Sequence, residues 1–418
     1  MDKCKHLIIG AGPAALAAAQ AIRSADKNAD ITLVTRENSL PYSPAVLPYM
    51  LSAELAEEDL FGKGREFLAK MNVTFVRGKE VAEILPATNE VRYTCGERQP
   101  YDKLLIATGS SPQVPPVENL LAGDFHTFRT YSDFERLSKT LDQKQVIAIY
   151  GAGLVAVEAA EKLCLAGHTV VIIARSTLLR KYFSPHNVAV LEQAFREHGG
   201  KVLTKTSLVS VQKTDNRLEL LLSSGEKLTV DRLIVATGVA ANKLEGGLLP
   251  VVDGGLKVGR NMETNVPNIY AAGDVAAAPS FFDSQNAPCP ILPEAVFQGR
   301  VAGANMAGEP AVYKGWISGN YLRCFDDNLF SIGVTGAESA AGYVMLEKNN
   351  GSSSLKLIMK DNVLVGAEGL NMKSIHPGVF LYLIRERVSV KKYRDLLLSK
   401  PGETACWLML EHRKSQAI

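Results

Sequence analysis

Apolar residues near the start of the chain fall in short unbroken blocks around a stretch of small residues, a pattern that predicts strand, turn, helix, strand. The block His6–Ile9 runs into Gly10-Ala11-Gly12-Pro13-Ala14-Ala15, Ala14–Ser24 is alanine-rich and suits a helix, and Ile31–Val34 is the next buried strand. The order returns further on: Val146–Tyr150, then Gly151-Ala152-Gly153-Leu154-Val155-Ala156, a helix over Val155–Ala166 and a strand over Thr169–Ile173. Gly167-His168 supplies the stop for that second helix.

Alternating polarity follows each unit and predicts antiparallel strands, Val73–Val81 with Glu90–Tyr93 and Lys201–Val211 with Arg217–Leu222. Each then closes on a similar phrase, Leu104-Leu105-Ile106-Ala107-Thr108-Gly109 and Leu233-Ile234-Val235-Ala236-Thr237-Gly238. Such self-similarity marks an internal duplication of domain size. Beyond it lie the phrase Tyr270-Ala271-Ala272-Gly273-Asp274 and a helix over Glu294–Met306. From about Tyr313 the texture is that of a β-meander, with Leu355–Met359 and Val363–Glu368 flanking the turn Lys360-Asp361-Asn362. Helices over Pro377–Glu386 and Val390–Leu398 precede a tail.

At 418 residues the chain exceeds one ordinary core and predicts two or three domains. A net charge of +2 gives no case for nucleic acid or an anionic membrane as partner. No run approaches the roughly 20 apolar residues of a membrane-spanning helix. Met1-Asp2-Lys3-Cys4 leads straight into a strand, which leaves no room for a signal peptide. Cys4, Cys95, Cys164, Cys289, Cys324 and Cys406 are scattered, without the spacings that hold an iron–sulfur cluster. A cytoplasmic protein with reduced thiols is expected.

The ordered phrases resemble the pyridine nucleotide-disulfide oxidoreductase superfamily over about residues 6–310, and more loosely over 313–418. Within it the chain is similar to NADH:rubredoxin or ferredoxin reductases, NADH oxidases and coenzyme A-disulfide reductases. The resemblance implies an α/β fold with two Rossmann-like dinucleotide-binding domains: an FAD domain over 1–112 and 241–312, and an NAD(P) domain over 113–240. A C-terminal α+β interface or dimerisation domain over 313–418 completes it.

In the first turn, Gly10 and Gly12 bring backbone N–H groups against a pyrophosphate, and the helix starting near Pro13, Ala14 and Ala15 adds its positive end. By resemblance Gly273-Asp274 contacts the ribityl–phosphate region of FAD, and Val81, Ala107, Thr108 and Gly109 line the same cofactor. Glu37 is either the ribose-binding acid or a solvated loop carboxylate. The phrase Leu40–Tyr49 resembles the segment that runs past the flavin ring and carries a redox cysteine in NADH oxidases and coenzyme A-disulfide reductases. Here Pro44-Ala45 occupies that place, so Ala45 stands for the cysteine, and an alanine supports neither disulfide exchange nor sulfenic-acid chemistry. Tyr49 replaces a lysine of several relatives. Cys289, in Ala287-Pro288-Cys289-Pro290, and Cys406 are the thiols that could substitute, although a small buried side chain is the plainer reading of Cys289.

In the second turn, Gly151, Gly153, Leu154, Val155 and Ala156 cradle the other pyrophosphate, with Ala156 where glycine is commoner. Glu158 matches the acid of the family's GxGxxGxE phrase near the nicotinamide. An acid at the position of Ala174 would favour NAD; instead Ala174 is followed by Arg175, with Arg180 and Lys181 close by, and the choice between NAD and NADP stays open. Gly238 closes this half. The implied activity is flavin-mediated electron transfer between NAD(P)H and an external iron–sulfur protein or subunit, one version being the FAD subunit of a multi-subunit 2-oxoacid:NAD oxidoreductase such as those acting on aromatic 2-oxoacids. The protein would then be a homodimer or part of a larger complex. An NAD(P)H oxidase or quinone reductase, and a flavin-binding scaffold with little turnover, are the alternatives.

Overall fold

Strands whose side chains are apolar on both faces need cover on both sides, and the chain meets that need twice with parallel sheets. The computed structural model describes residues 4–141, 143–246, 249–336, 342–373 and 375–416. It separates into two compact units: Met1–Gln113 with Thr127–Thr140 and Gly238–Ile317, and Val114–His126 with Leu141–Thr237 and Ser318–Ile418.

In the first unit a five-stranded parallel sheet has the order Ile269–Ala271, Lys103–Ile106, Lys5–Ile9, Asp30–Thr35, Thr74–Arg77. Its central residues Ile8, Leu33, Leu104, Leu105 and Ile106 are wholly buried. The helix Pro13–Ala25 buries Ala14, Ala15, Ala18, Ala19 and Ile22, and packs on the helix Leu292–Met306. The contact is backbone against backbone: a Cβ on Gly299 would lie 2.2 Å from the Ala14 carbonyl oxygen, and one on Gly303 2.3 Å from that of Ala18. Alanine and glycine composition is therefore the condition for this helix pair.

The second unit repeats the plan with four parallel strands in the order Lys201–Leu203, Thr169–Ile173, Val146–Tyr150, Arg232–Val235. Each unit also holds a three-stranded antiparallel sheet: Val81–Leu85, Glu90–Tyr93 and Arg98–Pro100 in the first, Leu208–Thr214, Arg217–Leu222 and Lys227–Val230 in the second. The duplication and the α/β class are borne out.

Two long strands of the sequence reading are corrected. Val73–Val81 is not one antiparallel strand: Thr74–Arg77 pairs parallel with Thr32–Thr35 at the sheet edge, and a separate strand from Val81 pairs with Glu90–Tyr93. The break falls at Gly78, at φ +69°, where the N–H groups of Gly78 and Lys79 turn back to the carbonyls of Glu37 and Thr35. Lys201–Val211 divides in the same way at Lys205, at φ +53°. Alternating polarity reports a half-buried edge strand and a solvated antiparallel strand alike, so the join was invisible.

Residues 318–416 lie in the second unit. Their antiparallel sheet has the order Gly319–Cys324, Asp327–Gly333, Val363–Leu370, Ser354–Lys360, Tyr343–Asn349. Phe325 stacks on His198 at 4.0 Å and Phe330 on Phe380 at 6.0 Å, both as core residues, whereas Tyr321 and Trp407 are exposed. His376 precedes the helix Pro377–Arg385 as its N-cap, and the next helix is shorter than expected, Arg394–Ser399. The expected tail is itself a helix, Pro401–Gln416, burying Pro401, Thr404, Ala405 and Leu408. Its exposed Trp407 and Leu410 blur that one-sided stripe in the sequence.

A buried polar cluster joins this sheet to the nucleotide-type half of the unit. Glu368 Oε1 accepts from Ser184 N at 2.7 Å, Ser184 Oγ at 2.8 Å and Asn187 Nδ2 at 2.6 Å, while Asn187 Oδ1 accepts from Ser354 Oγ at 2.7 Å. Removing a partner from such a cluster leaves a desolvated group unsatisfied. Asn187→Ala is expected to destabilise the protein by roughly 1–3 kcal/mol, seen as a lower urea midpoint; an unchanged midpoint would count against the cluster's role.

Candidate functional site

In the first unit the chain leaves the strand Lys5–Ile9 at Gly10, whose N–H donates to the Val34 carbonyl at 2.7 Å. Gly10 sits at φ +124°, and a Cβ there would lie 2.1 Å from the carbonyl oxygen of Ala107, so the position admits glycine alone. Gly12 is the N-cap of the helix Pro13–Ala25 with no side chain over it and open space around its Cα. Uncapped N–H groups, open space and the helix's positive end together suit an anion.

The second unit repeats this geometry. Gly151 lies at φ +153°, a Cβ on it would be 2.1 Å from the Ala236 carbonyl oxygen, and its N–H donates to Ile173 at 3.0 Å. Gly153, also with open space around it, caps the helix Leu154–Leu165, in which Ala156 is fully buried and Val155 exposed.

Around the first turn, Asp274 Oδ2 accepts from Ser110 Oγ at 2.7 Å and Arg129 Nη2 at 2.8 Å, whereas Oδ1 has no bond among the described residues. Arg129 also reaches the Ser110 carbonyl at 3.3 Å. Gly273 donates its N–H to Gln298 Oε1 at 2.9 Å. Ala107, Thr108 and Gly109 follow the strand Lys103–Ile106; Thr108 Oγ1 donates to the Asn242 carbonyl at 2.6 Å, and Asn242 N to that of Gly109 at 2.9 Å. Arg129, Ser110 and Asn242 were missed by sequence reasoning. No local signal marks them, since Arg129 and Asp274 are 145 residues apart.

Glu37 is half-buried, and its Oε2 accepts from the Tyr42 hydroxyl at 2.7 Å, which in turn accepts from Tyr131 N at 2.8 Å. Burial, with the Glu37 charge adding, pushes the Tyr42 hydroxyl far above its ordinary pKa and keeps it a donor. Pro44 and Ala45 form one turn of 3₁₀ helix with Ala45 exposed, and the neighbouring Ser43 Oγ is buried without a partner among the described residues. Val81 is buried at the start of its antiparallel strand. Gly238, at φ +128°, belongs to the first unit, where its carbonyl accepts from Gln113 N at 2.9 Å.

Cys289 is a poor candidate for a thiol relay. Cys289 is buried, and burial, with the Glu294 and Asp274 charges adding, pushes its thiol up to about 12. At neutral pH it is protonated and a poor nucleophile. Among the described residues no group of three or more His, Cys, Asp or Glu could hold a metal ion, and no helix is long and apolar enough to cross a membrane. In the second unit Glu158 is half-buried; burial, then the Glu161 charge, raise it to about 7 against the lowering effect of Lys162. Arg175 is exposed directly after the fully buried Ala174.

The glycine-only turns, the open helix starts, the half-free Asp274 and the orphaned Ser43 hydroxyl fit dinucleotides and their flavin, and two such folds in one chain define a flavin–nicotinamide oxidoreductase. A family model described as pyridine nucleotide-disulphide oxidoreductase matches residues 4–307. The chain is 36% identical over 408 residues to subunit epsilon of the NADH-dependent phenylglyoxylate dehydrogenase of Aromatoleum evansii, covering 96% of each. It is 30% identical over 273 residues to the ferredoxin–NAD(+) reductase component of a 3-phenylpropionate/cinnamic acid dioxygenase of Photorhabdus laumondii subsp. laumondii, with 64% of this chain and 69% of that one covered. Among solved structures it resembles an engineered water-forming NADPH oxidase bound to NADPH, with TM-score 0.84, 24% identity, and 93% and 92% of the two chains covered. That oxidase carries five substitutions: glycine to alanine, aspartate to alanine, alanine to arginine, methionine to serine and proline to arginine.

The chain belongs to the pyridine nucleotide-disulphide oxidoreductase family. It is an FAD-dependent NAD(P)H oxidoreductase.

Two outcomes follow from the geometry. Asp274→Ala should lower the flavin bound per chain after gel filtration, read from the absorbance ratio; full retention would remove Asp274 from the cofactor contacts. Glu158 holds its proton better folded than unfolded, because its pKa rises from 4.5 to about 7. Its contribution to stability is therefore complete below pH 4.5 and lost as the pH climbs through about 7. Glu158→Gln should match the wild type in urea near pH 4.5 and exceed it at pH 8 by at most about 3 kcal/mol; a difference independent of pH would contradict the assignment.

Proposed function

We propose that this protein passes electrons between NAD(P)H and an external iron–sulfur protein or subunit, as the flavin subunit of a larger oxidoreductase acting on a 2-oxoacid. The first unit is assigned FAD, through Gly10, Gly12, Glu37, Pro44, Ala45 and Asp274, and the second the nicotinamide, through Gly151, Gly153, Glu158 and Arg175. Bound FAD supplies a ring that accepts a hydride from a reduced nicotinamide and releases its electrons singly or in pairs.

The observation that carries the reading is Ala45, exposed in the segment that resembles the one carrying a redox cysteine in thiol-dependent relatives. Together with the buried, protonated Cys289, it leaves no thiol in the first unit's flavin segment to take electrons onward. An external acceptor or donor is then required. Coverage of 96% of a dehydrogenase subunit, and the likeness to a ferredoxin reductase component, support an iron–sulfur group in that role. Six free cysteines support a cytoplasmic location.

The nicotinamide choice also draws support from a relative. The residues placed in the engineered NADPH oxidase stand here as Ala156, Ala174, Arg175 and Ser176, with Lys181 in place of the final arginine. The spacing agrees throughout: the second alanine stands eighteen positions after the first, arginine and serine follow it directly, and the last cation is five further on.

Under anaerobic conditions NAD(P)H should bleach the flavin, and a ferredoxin, a rubredoxin or a viologen dye should then restore its colour. Failure with every such acceptor, combined with rapid NAD(P)H consumption in air, would replace this reading by that of an oxidase.

A further inference from the structure

We infer that the second unit is built to receive the 2′-phosphate of NADPH and that NADPH, not NADH, is the preferred nicotinamide. The inference rests on the assignment of that unit to the nicotinamide and names the cosubstrate it takes.

The duplication provides an internal comparison. Gly10 N donates to Val34 and Gly151 N to Ile173, so Val34 and Ile173 are equivalent. Thr35, Arg36 and Glu37 then correspond to Ala174, Arg175 and Ser176. The first half presents a carboxylate, Glu37, held in place by Tyr42; the second presents a hydroxyl at the same point. A carboxylate there accepts from the ribose hydroxyls and repels a phosphate; its loss removes both effects. Ala174 is fully buried, with its N–H bonded to Leu203 O at 2.8 Å and its carbonyl accepting from Thr206 N at 2.9 Å, so it adds no polar group.

Charge in the segment is one-sided. Between Glu161 and Glu192 the chain contains no acidic residue, whereas Arg175, Arg180 and Lys181 are exposed and make no ion pair among the described residues. Three unpaired cations on a short loop repel one another unless an anion joins them. Arginine forms paired hydrogen bonds to phosphate oxygens, and lysine adds a point charge.

The loop is also fixed beside the glycine turn. Leu178 and Leu179 are buried, and Leu179, at φ +48°, donates its N–H to the Ala152 carbonyl at 2.8 Å. Ala152 lies between the two glycines of the pyrophosphate turn. Tyr182 N and Phe183 N fold back onto the Leu179 carbonyl at 2.8 and 3.1 Å, and the Lys181 carbonyl accepts from Thr335 Oγ1 at 2.9 Å. The cations are thus carried on a backbone anchored to the turn itself.

The test needs no electron acceptor, so it is independent of the iron–sulfur reading. Calorimetric titration of the flavin-loaded protein should show adenosine 2′,5′-bisphosphate binding about ten- to a hundredfold more tightly than 5′-AMP, with the gap narrowing at high salt. Anaerobic flavin reduction should favour NADPH over NADH in kcat/KM by a similar factor. Arg175→Gln and Lys181→Gln should each shrink that ratio, and Ser176→Glu, which restores the first half's carboxylate, should shift it toward NADH. Equal affinity for the two adenosine phosphates, or an NADH value equal to or above that for NADPH, overturns the inference. Flavin reduction by NADPH without onward transfer to any iron–sulfur acceptor would leave it standing and remove the proposed partner instead.

Discussion

A missing side chain at one point in each half governs where everything else lies. The chain leaving the first strand of each parallel sheet passes a carbonyl of the neighbouring strand's exit so closely that a Cβ on Gly10 or Gly151 would stand 2.1 Å from oxygen. Both residues also take φ values outside the range of ordinary L residues, at +124° and +153°. This close passage lets the next helix begin directly at the carboxyl edge of the sheet, with Gly12 or Gly153 leaving its first N–H groups uncovered. An uncovered positive helix end, which suits an anion, follows from that one contact.

Around this shared geometry the two halves diverge. The first keeps a carboxylate, Glu37, past its second strand, and aims one oxygen of Asp274 at Ser110 and Arg129 while the other stays free among the described residues. The second has lost the carboxylate and gathered cations on a loop tied to its turn. The first half carries Ala45 in the segment that resembles the thiol-bearing one of disulfide-reducing relatives. Electron transfer to or from an external redox protein makes the identity of that partner the defining property of the enzyme.

Much of this was legible in the chain's own order. Strands of four or five apolar residues, a glycine pair and an alanine-rich helix are set by local periodicity and local φ, and Val146–Tyr150 and Thr169–Ile173 appear at the expected residues. The glycine turns could be named for the same reason, whereas Asp274 and Ala45 were singled out only through the resemblance to the family. The sequence by itself determined the duplicated α/β plan and the two glycine turns. Tertiary structure alone decided that Thr74–Arg77 and Lys201–Leu203 join the parallel sheets, that Pro401–Gln416 is a helix, and that Glu368 binds Ser184 and Asn187. It alone brought Arg129 to Asp274 and the loop of Arg175 to Ala152. Each of these is a pairing between distant segments, in which a hydrogen bond or a sheet edge is satisfied by a partner that no local pattern announces.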